Sequence, residues 1–257
     1  MNTSMMWRQV PPVTKNLIII NILLWLAEVF VPGFGETLIN KLGLHLFGTS
    51  LFNPFQVFTY MFLHDNGMIF HVLFNMFTLY MFGRILEMVW GWKRFLIFYL
   101  VCGIGAGLVQ EGVWLLTYKQ EYISAIAEIN RLSYSDMAAI VEEAAAHGDT
   151  SFVAAMNAMK EQMVTIGASG AIFGLLLGFA MVFPNMPLYL FFIPVPIKAK
   201  YMVIGYAVIE LLLGVSANGS SIAHFAHLGG MLFGLAILLY WRHKGTLHSK
   251  GYYGQDF

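Results

Sequence analysis

The sequence predicts an all-α, polytopic membrane protein with six spanning helices, and three observations carry that prediction. Of 257 residues, 58% are hydrophobic and 11% are charged, with mean hydropathy +0.69. A soluble domain carries roughly 25% charged residues, so water is not the main solvent of this chain. Crossing the hydrocarbon core takes about 20 apolar residues in a helix. Stretches at 16–32, 70–90, 94–116, 168–184, 201–216 and 223–241 reach or approach that length. The basic residues then divide unevenly across those spans. Arg8, Lys15, Arg84, Lys93, Arg94, Lys198, Lys200, Arg242, Lys244 and Lys250 fall on the side of the N-terminal tail, and only Lys41, Lys119, Arg131 and Lys160 on the other. That bias puts both termini in the cytoplasm and agrees with an even number of spans.

The first apolar run, Asn16 to Val31, follows only Arg8 and Lys15, and no small-residue cleavage pattern closes it. It reads as a retained span and not as a cleaved leader. The fourth and fifth spans are short. A short span among longer ones begins below the membrane surface, with protein or a wet cavity around its end. Residues 1–250 form one membrane domain on this reading, and 243–257 carry the cytoplasmic tail. Between spans three and four, 117–162 is the one soluble-looking stretch, with Glu121, Glu128, Asp136, Glu142, Glu143, Asp149 and Glu161 against three basic residues. Phe152, Met156, Met159 and Met163 share a helix face by their spacing. His147-Gly148 marks a helix end, with Asp149, Thr150 or Ser151 capping the next helix. The segment is expected to form two or three short amphipathic helices outside the membrane. Its Met stripe either packs on the spans or the interface, or forms a lid that recruits substrate.

Some classes are disfavoured at once. Formal net charge is 0, so nucleic acid has no electrostatic support as a partner. The single cysteine, Cys102, lies in an apolar run, which makes an intrachain disulfide impossible and reads as inert packing.

Three constellations bear chemistry. Gly167-Ala168-Ser169-Gly170 opens the fourth span. A serine within a membrane helix is ordinarily a packing residue. Ser169 instead sits where a helix start leaves backbone N–H groups unpaired, and those donors suit an oxyanion. Ala226-His227-Leu228-Gly229-Gly230, followed by Gly234, opens the sixth span. An ionisable residue inside a span is a functional candidate by default. Gly170, Gly174 and Gly178 make a small-residue ladder on the fourth span, and Gly230 and Gly234 make one on the sixth. Such ladders let helix backbones approach closely and so bring a serine hydroxyl to an imidazole. On the second span, His71 and Asn75 share one face at a spacing of four, where two donors can meet a developing negative charge.

Together, Gly-x-Ser-Gly at 167–170, Ala-His-x-x-Gly-x-x-x-Gly at 226–234 and His-x-x-x-Asn at 71–75 resemble the rhomboid intramembrane serine proteases across roughly residues 16–241. The resemblance implies a six-span bundle and a catalytic dyad of Ser169 and His227 without a carboxylate third member. It implies an oxyanion site from His71, Asn75 and the Ser169 N–H, with Gly167, Gly170 and Phe173 in support. Phe173 takes the place of an aromatic ring stacked on the histidine. The implied reaction is hydrolysis of transmembrane substrates near the extracytoplasmic side, without a cofactor; the charge bias and the missing transit-peptide pattern point to a bacterial cytoplasmic membrane. Gly214 to Ser221 would cap a polar cavity, and the fifth span would gate it. No metal is expected, because the histidines lack a carboxylate or thiolate cluster at ligand spacing. His64 and His224 are expected to be structural hydrogen-bonders, and Glu87 to be structural. Where relatives carry Trp-Arg in the first outer loop, this chain has Phe55-Gln56, which questions how that loop is anchored. Two rivals stand beside this reading. A non-catalytic member would bind membrane clients and has no need of both Ser169 and His227. A transporter would show repeated halves, and none is evident.

Overall fold

The computed structural model describes residues 10–189, 195–216 and 222–247. Helices dominate: α1 (Pro12–Phe30), α2 (Phe34–Leu42), α3 (Ile69–Trp90), α4 (Trp92–Asn130), α5 (Tyr134–Ala146), α6 (Ser151–Gln162), α7 (Ser169–Val182), α8 (Ala199–Ser216) and α9 (Ile222–His243). Two small antiparallel pairs join them. β1 (Leu44–His45) pairs with β2 (Val164–Thr165), and β3 (Pro187–Leu188) pairs with β4 (Ile197–Lys198). The protein is an all-α polytopic membrane protein. By length and composition, four described helices suffice to cross a membrane: α1, α3, α4 and the part of α9 from His224 to His243. The expected fourth and fifth spans correspond to α7 and α8. The 14 residues of α7 rise about 21 Å, less than the hydrocarbon thickness of about 30 Å, so α7 alone is too short to cross it.

The interior is apolar, and so is much of the surface. Tyr99, Phe95, Phe98, Trp114 and Leu175 are fully buried, while Ile20, Leu23, Ile204, Val208, Leu232 and Leu239 are exposed. Exposed apolar rows along α1, α8 and α9 would drive aggregation in water and are satisfied by lipid. At the centre, α7 packs against both α4 and α9, and α8 lies against α9 and α7.

The third span differs from expectation. A single helix of 39 residues runs through Asn130, about 58 Å long and nearly twice the hydrocarbon thickness. Residues 117–130 therefore extend this span and are not a separate short helix. No Gly or Pro interrupts Val113–Asn130, so nothing breaks the helix where its apolarity ends. The Met stripe packs inward: Phe152, Met156 and Met159 lie against Tyr122, Ile123, Ala127 and Met137, and Met163 joins Leu46 and Trp114. Gly148 turns the chain at φ +78°, and the Asp149 carboxylate accepts the Ser151 N–H at 2.8 Å, as the expected helix start requires.

Two polar anchors hold the ends in place. Glu87 of α3 is buried and accepts the N–H groups of Val13 (2.9 Å) and Thr14 (2.7 Å) and the Thr14 hydroxyl (2.7 Å). It thereby satisfies donors that the start of α1 leaves unpaired and places negative charge at the positive end of that helix. Glu87→Ala is expected to cost about 3 kcal/mol, read as a lower midpoint of thermal unfolding in detergent. At the same end, the Trp90 indole donates to Leu247 O (3.0 Å) and Arg94 to Thr246 O (2.8 Å), which folds the start of the tail back onto α3 and α4.

In the first loop, Gln56 answers the question raised by Phe55-Gln56. Its side chain is buried, accepts the N–H groups of Asn53 (3.0 Å) and His45 (3.3 Å), and donates to Leu51 O (2.9 Å). A neutral amide thus anchors the loop, while Phe55 stays exposed. His64, in the same loop, makes no side-chain hydrogen bond among the described residues, contrary to expectation; it packs edge-on to His71 with ring centroids 5.0 Å apart. Burial pushes its pKa down to about 3. A proton therefore binds the unfolded chain first, and this residue lowers stability as pH falls below about 6.5.

Candidate active site

The start of α7 is set by what precedes it. β2 pairs with β1, the Gly167 N–H donates to Tyr60 O (3.0 Å), and the Tyr60 hydroxyl donates to Gly103 O (2.7 Å) on α4. The chain entering Ser169 is therefore tied to the first loop and to α4. Gly167 has φ +126°, and a Cβ there would lie 2.9 Å from His71 Nε2, so only glycine fits. Ala168 at the N-cap makes no side-chain cap, and among the described residues the first turn of α7 has no capping side chain.

The glycines bring α7 and α9 together. A Cβ on Gly230 would overlap the Gly170 carbonyl, and one on Gly234 would lie 3.4 Å from Gly174 Cα. Gly170 also abuts Ala106, and Gly174 abuts Cys102, both on α4. Gly178 differs from the rest of the expected ladder: the atoms nearest a would-be Cβ are the Trp90 ring at 2.9 Å and the Phe98 ring at 3.4 Å, on α3 and α4.

This approach sets His227 Nε2 2.8 Å from Ser169 Oγ. Phe173, one turn along α7, stacks on the imidazole with centroids 4.2 Å apart and planes 5° apart. On α3, His71 Nδ1 accepts the Asp65 N–H at 3.4 Å, which leaves Nε2 as the protonated nitrogen on the side of Gly167. Asn75 is buried, and its Nδ2 donor has no hydrogen-bond partner among the described residues. Such an orphan is costly unless a ligand takes the donor. Ser169, His227, His71 and Phe173 are thus gathered around one point, with Asn75 one turn along α3. Of the cap expected at Gly214 to Ser221, residues 217–221 lie outside those described.

Sequence reasoning missed Glu210. Its Oε2 lies 2.6 Å from His224 Nδ1 and 3.1 Å from His227 Nδ1, so a carboxylate does stand beside the histidine. The signal was available: an acidic residue inside an apolar helix calls for a partner. His224 is hydrogen-bonded, as expected. The stated ground for expecting no metal fails, since Glu210, His224 and His227 offer ligand atoms within 4.8 Å of one another. The 2.6 Å contact is nonetheless a hydrogen-bond length. Two ligands held about 2.0 Å from one zinc in tetrahedral geometry stand about 3.3 Å apart.

A family model described as Rhomboid domain matches residues 52–124 and 136–244, which is more than half of the chain. No curated protein matches it.

Proposed function

The chain belongs to the rhomboid family, and from that premise we propose that it is an intramembrane serine endopeptidase acting through Ser169 and His227. The observation that carries this reading is the 2.8 Å contact between His227 Nε2 and Ser169 Oγ at an uncapped helix start. His227 takes the hydroxyl proton as Oγ bonds to the substrate carbonyl carbon, and the carbonyl π pair moves onto oxygen. The oxyanion is received by the Ser169 N–H, the His71 Nε2–H and the Asn75 amide. Collapse breaks the C–N bond and returns the proton from His227 to the leaving amine. Water then attacks the acyl-enzyme in the same manner. Substrates are transmembrane segments with an unwound end, which expose a carbonyl at the depth of the α7 start. The basic-residue bias supports a bacterial cytoplasmic membrane, both termini inside, and a site open to the extracytoplasmic face.

The test is cleavage of a panel of tagged single-span polypeptides in liposomes, comparing the wild type with Ser169→Ala. Cleavage by the wild type alone supports the proposal, and equal cleavage by both removes it. If neither cuts and Ser169 takes no fluorophosphonate, the chain is a client-binding member of the family. The oxyanion role has its own prediction. Asn75→Ala is expected to lower kcat about 10²-fold with KM nearly unchanged. Because the Asn75 donor has no partner among the described residues, the unfolding midpoint should not fall.

A further inference from the structure

We propose that Glu210 is a positioning residue that fixes the tautomer and orientation of His227; this rests on the reading of Ser169 and His227 given above. Glu210 is the one acidic residue of α8, set among Val208, Ile209, Leu211 and Leu212. A charge there is expensive unless it is paired. Its partners lie on α9, where His224 and His227 sit three residues apart and present Nδ1 to the same carboxylate oxygen, at 2.6 and 3.1 Å. The longer contact lies off the hydrogen-bond line, and His227 Nδ1 has no other partner among the described residues. A carboxylate 3.1 Å away favours the positive end of an N–H dipole at Nδ1 over a lone pair, so Nδ1 carries the proton. Neutral imidazole then has its free pair on Nε2, which faces Ser169 Oγ at 2.8 Å.

The geometry also bears on the reaction. When the serine proton reaches Nε2, the imidazolium forms 3.1 Å from a negative charge that stays ionised throughout. Phe173 holds one face of the ring, while Glu210 limits its rotation in plane. The ionisable groups facing His227 are Glu210 from α8, His224 from its own helix and His71 from α3. On α4, Glu111 accepts the Phe47 N–H at 2.7 Å through Oε2, and its Oε1 has no hydrogen-bond partner among the described residues, His227 included. Glu210 is therefore the one carboxylate among the described residues placed to hold the base. Because it belongs to α8 and its partners to α9, separating these helices withdraws the carboxylate from His227.

The experiment measures kcat, KM and their pH profiles for the full chain in liposomes, on a single-span polypeptide that the wild type cleaves. Glu210→Gln, Glu210→Asp and His224→Phe are compared, with thermal unfolding of each. The expected result for Glu210→Gln is a fall in kcat of about 10²-fold with KM little changed. The acid limb of its kcat/KM profile should move about one unit to lower pH, since the imidazolium loses a nearby negative charge. Glu210→Asp keeps the charge and should recover part of the rate with the wild-type limb. His224→Phe should stay within about threefold of wild type, because the ring keeps the packing between α8 and α9 and Glu210 keeps its contact with His227.

The proposal is overturned if Glu210→Gln keeps the wild-type rate and profile. It is equally overturned if Glu210→Gln and His224→Phe lose rate and stability in parallel with the acid limb unmoved, which is a helix tether only. Loss of wild-type activity on chelation, restored by zinc, would make the three groups metal ligands and overturn it as well. Should Glu210→Gln not fold, an unmoved rate in Glu210→Asp overturns it in the same way. Failure of the underlying reading looks different: Ser169→Ala would then retain activity whatever stands at 210. If the wild type cuts nothing, the pH dependence of fluorophosphonate labelling at Ser169 replaces kcat/KM, and absence of labelling removes both readings.

Discussion

Alanine at His227 is expected to lower kcat by about 10³-fold or more, and alanine at Ser169 to do the same. Neither change should disturb the fold. Ser169 Oγ makes one side-chain bond among the described residues, to His227. The helix contact beneath the pair is made by glycine backbones and does not need either side chain. The double variant should be no slower than either single one, because nucleophile and base act as a unit. Residual cleavage that is equal in all three would come from the oxyanion donors and substrate positioning. The readout is single-turnover cleavage together with KM, which should change little. A simple packing role for the pair predicts the opposite pattern, with lost stability and retained turnover.

The second large effect concerns Gly230. A Cβ there would overlap the Gly170 carbonyl, backbone against backbone, with no flexible side chain to yield. Helices α7 and α9 would have to move apart, at a cost of about 3 kcal/mol for Gly230→Ala and more for Gly230→Val. The same separation lengthens the 2.8 Å contact between His227 and Ser169, so activity should fall further than the folded fraction does. Gly205 on α8 is the control. Among the described residues nothing lies within 4 Å of a Cβ at that position, so Gly205→Ala should be neutral or slightly stabilising through helix propensity. Thermal unfolding in detergent with parallel cleavage rates separates the two glycines.

These contrasts show what was legible in the chain. Apolar length located the spans at α1, α3, α4 and α9, because lipid imposes a length that composition records directly. Glycines at four-residue spacing beside Ser169 and His227 pointed to the α7–α9 approach, since small residues are what close packing requires. The far end of α4 was hidden for the complementary reason. Lys119, Glu121 and Glu128 end the hydropathy signal, but they do not end a helix that lacks a breaker. Gly178 has the same spacing as its neighbours, yet it meets Trp90 and Phe98, which only the tertiary arrangement brings there.

Glu210 illustrates the same boundary within the site. It stands 14 residues before His224 and reaches it across a helix connection, so no local spacing links the two. Its presence in an apolar helix was visible; its partner was not. Gln56 is a similar case. Its sequence position suggested a weakened loop, whereas its buried amide joins Asn53, His45 and Leu51 at once. In both cases the chemistry of a single side chain is plain from the sequence, and what it does depends on distant backbone or ring atoms that folding delivers.

The most direct measurement is mass spectrometry of the chain after treatment with a fluorophosphonate in liposomes, followed by peptide mapping. A nucleophile activated by His227 predicts one adduct on Ser169 in the wild type and none in Ser169→Ala or His227→Ala. A wild-type chain that takes no adduct, or one that is labelled elsewhere and stays labelled in Ser169→Ala, would contradict it.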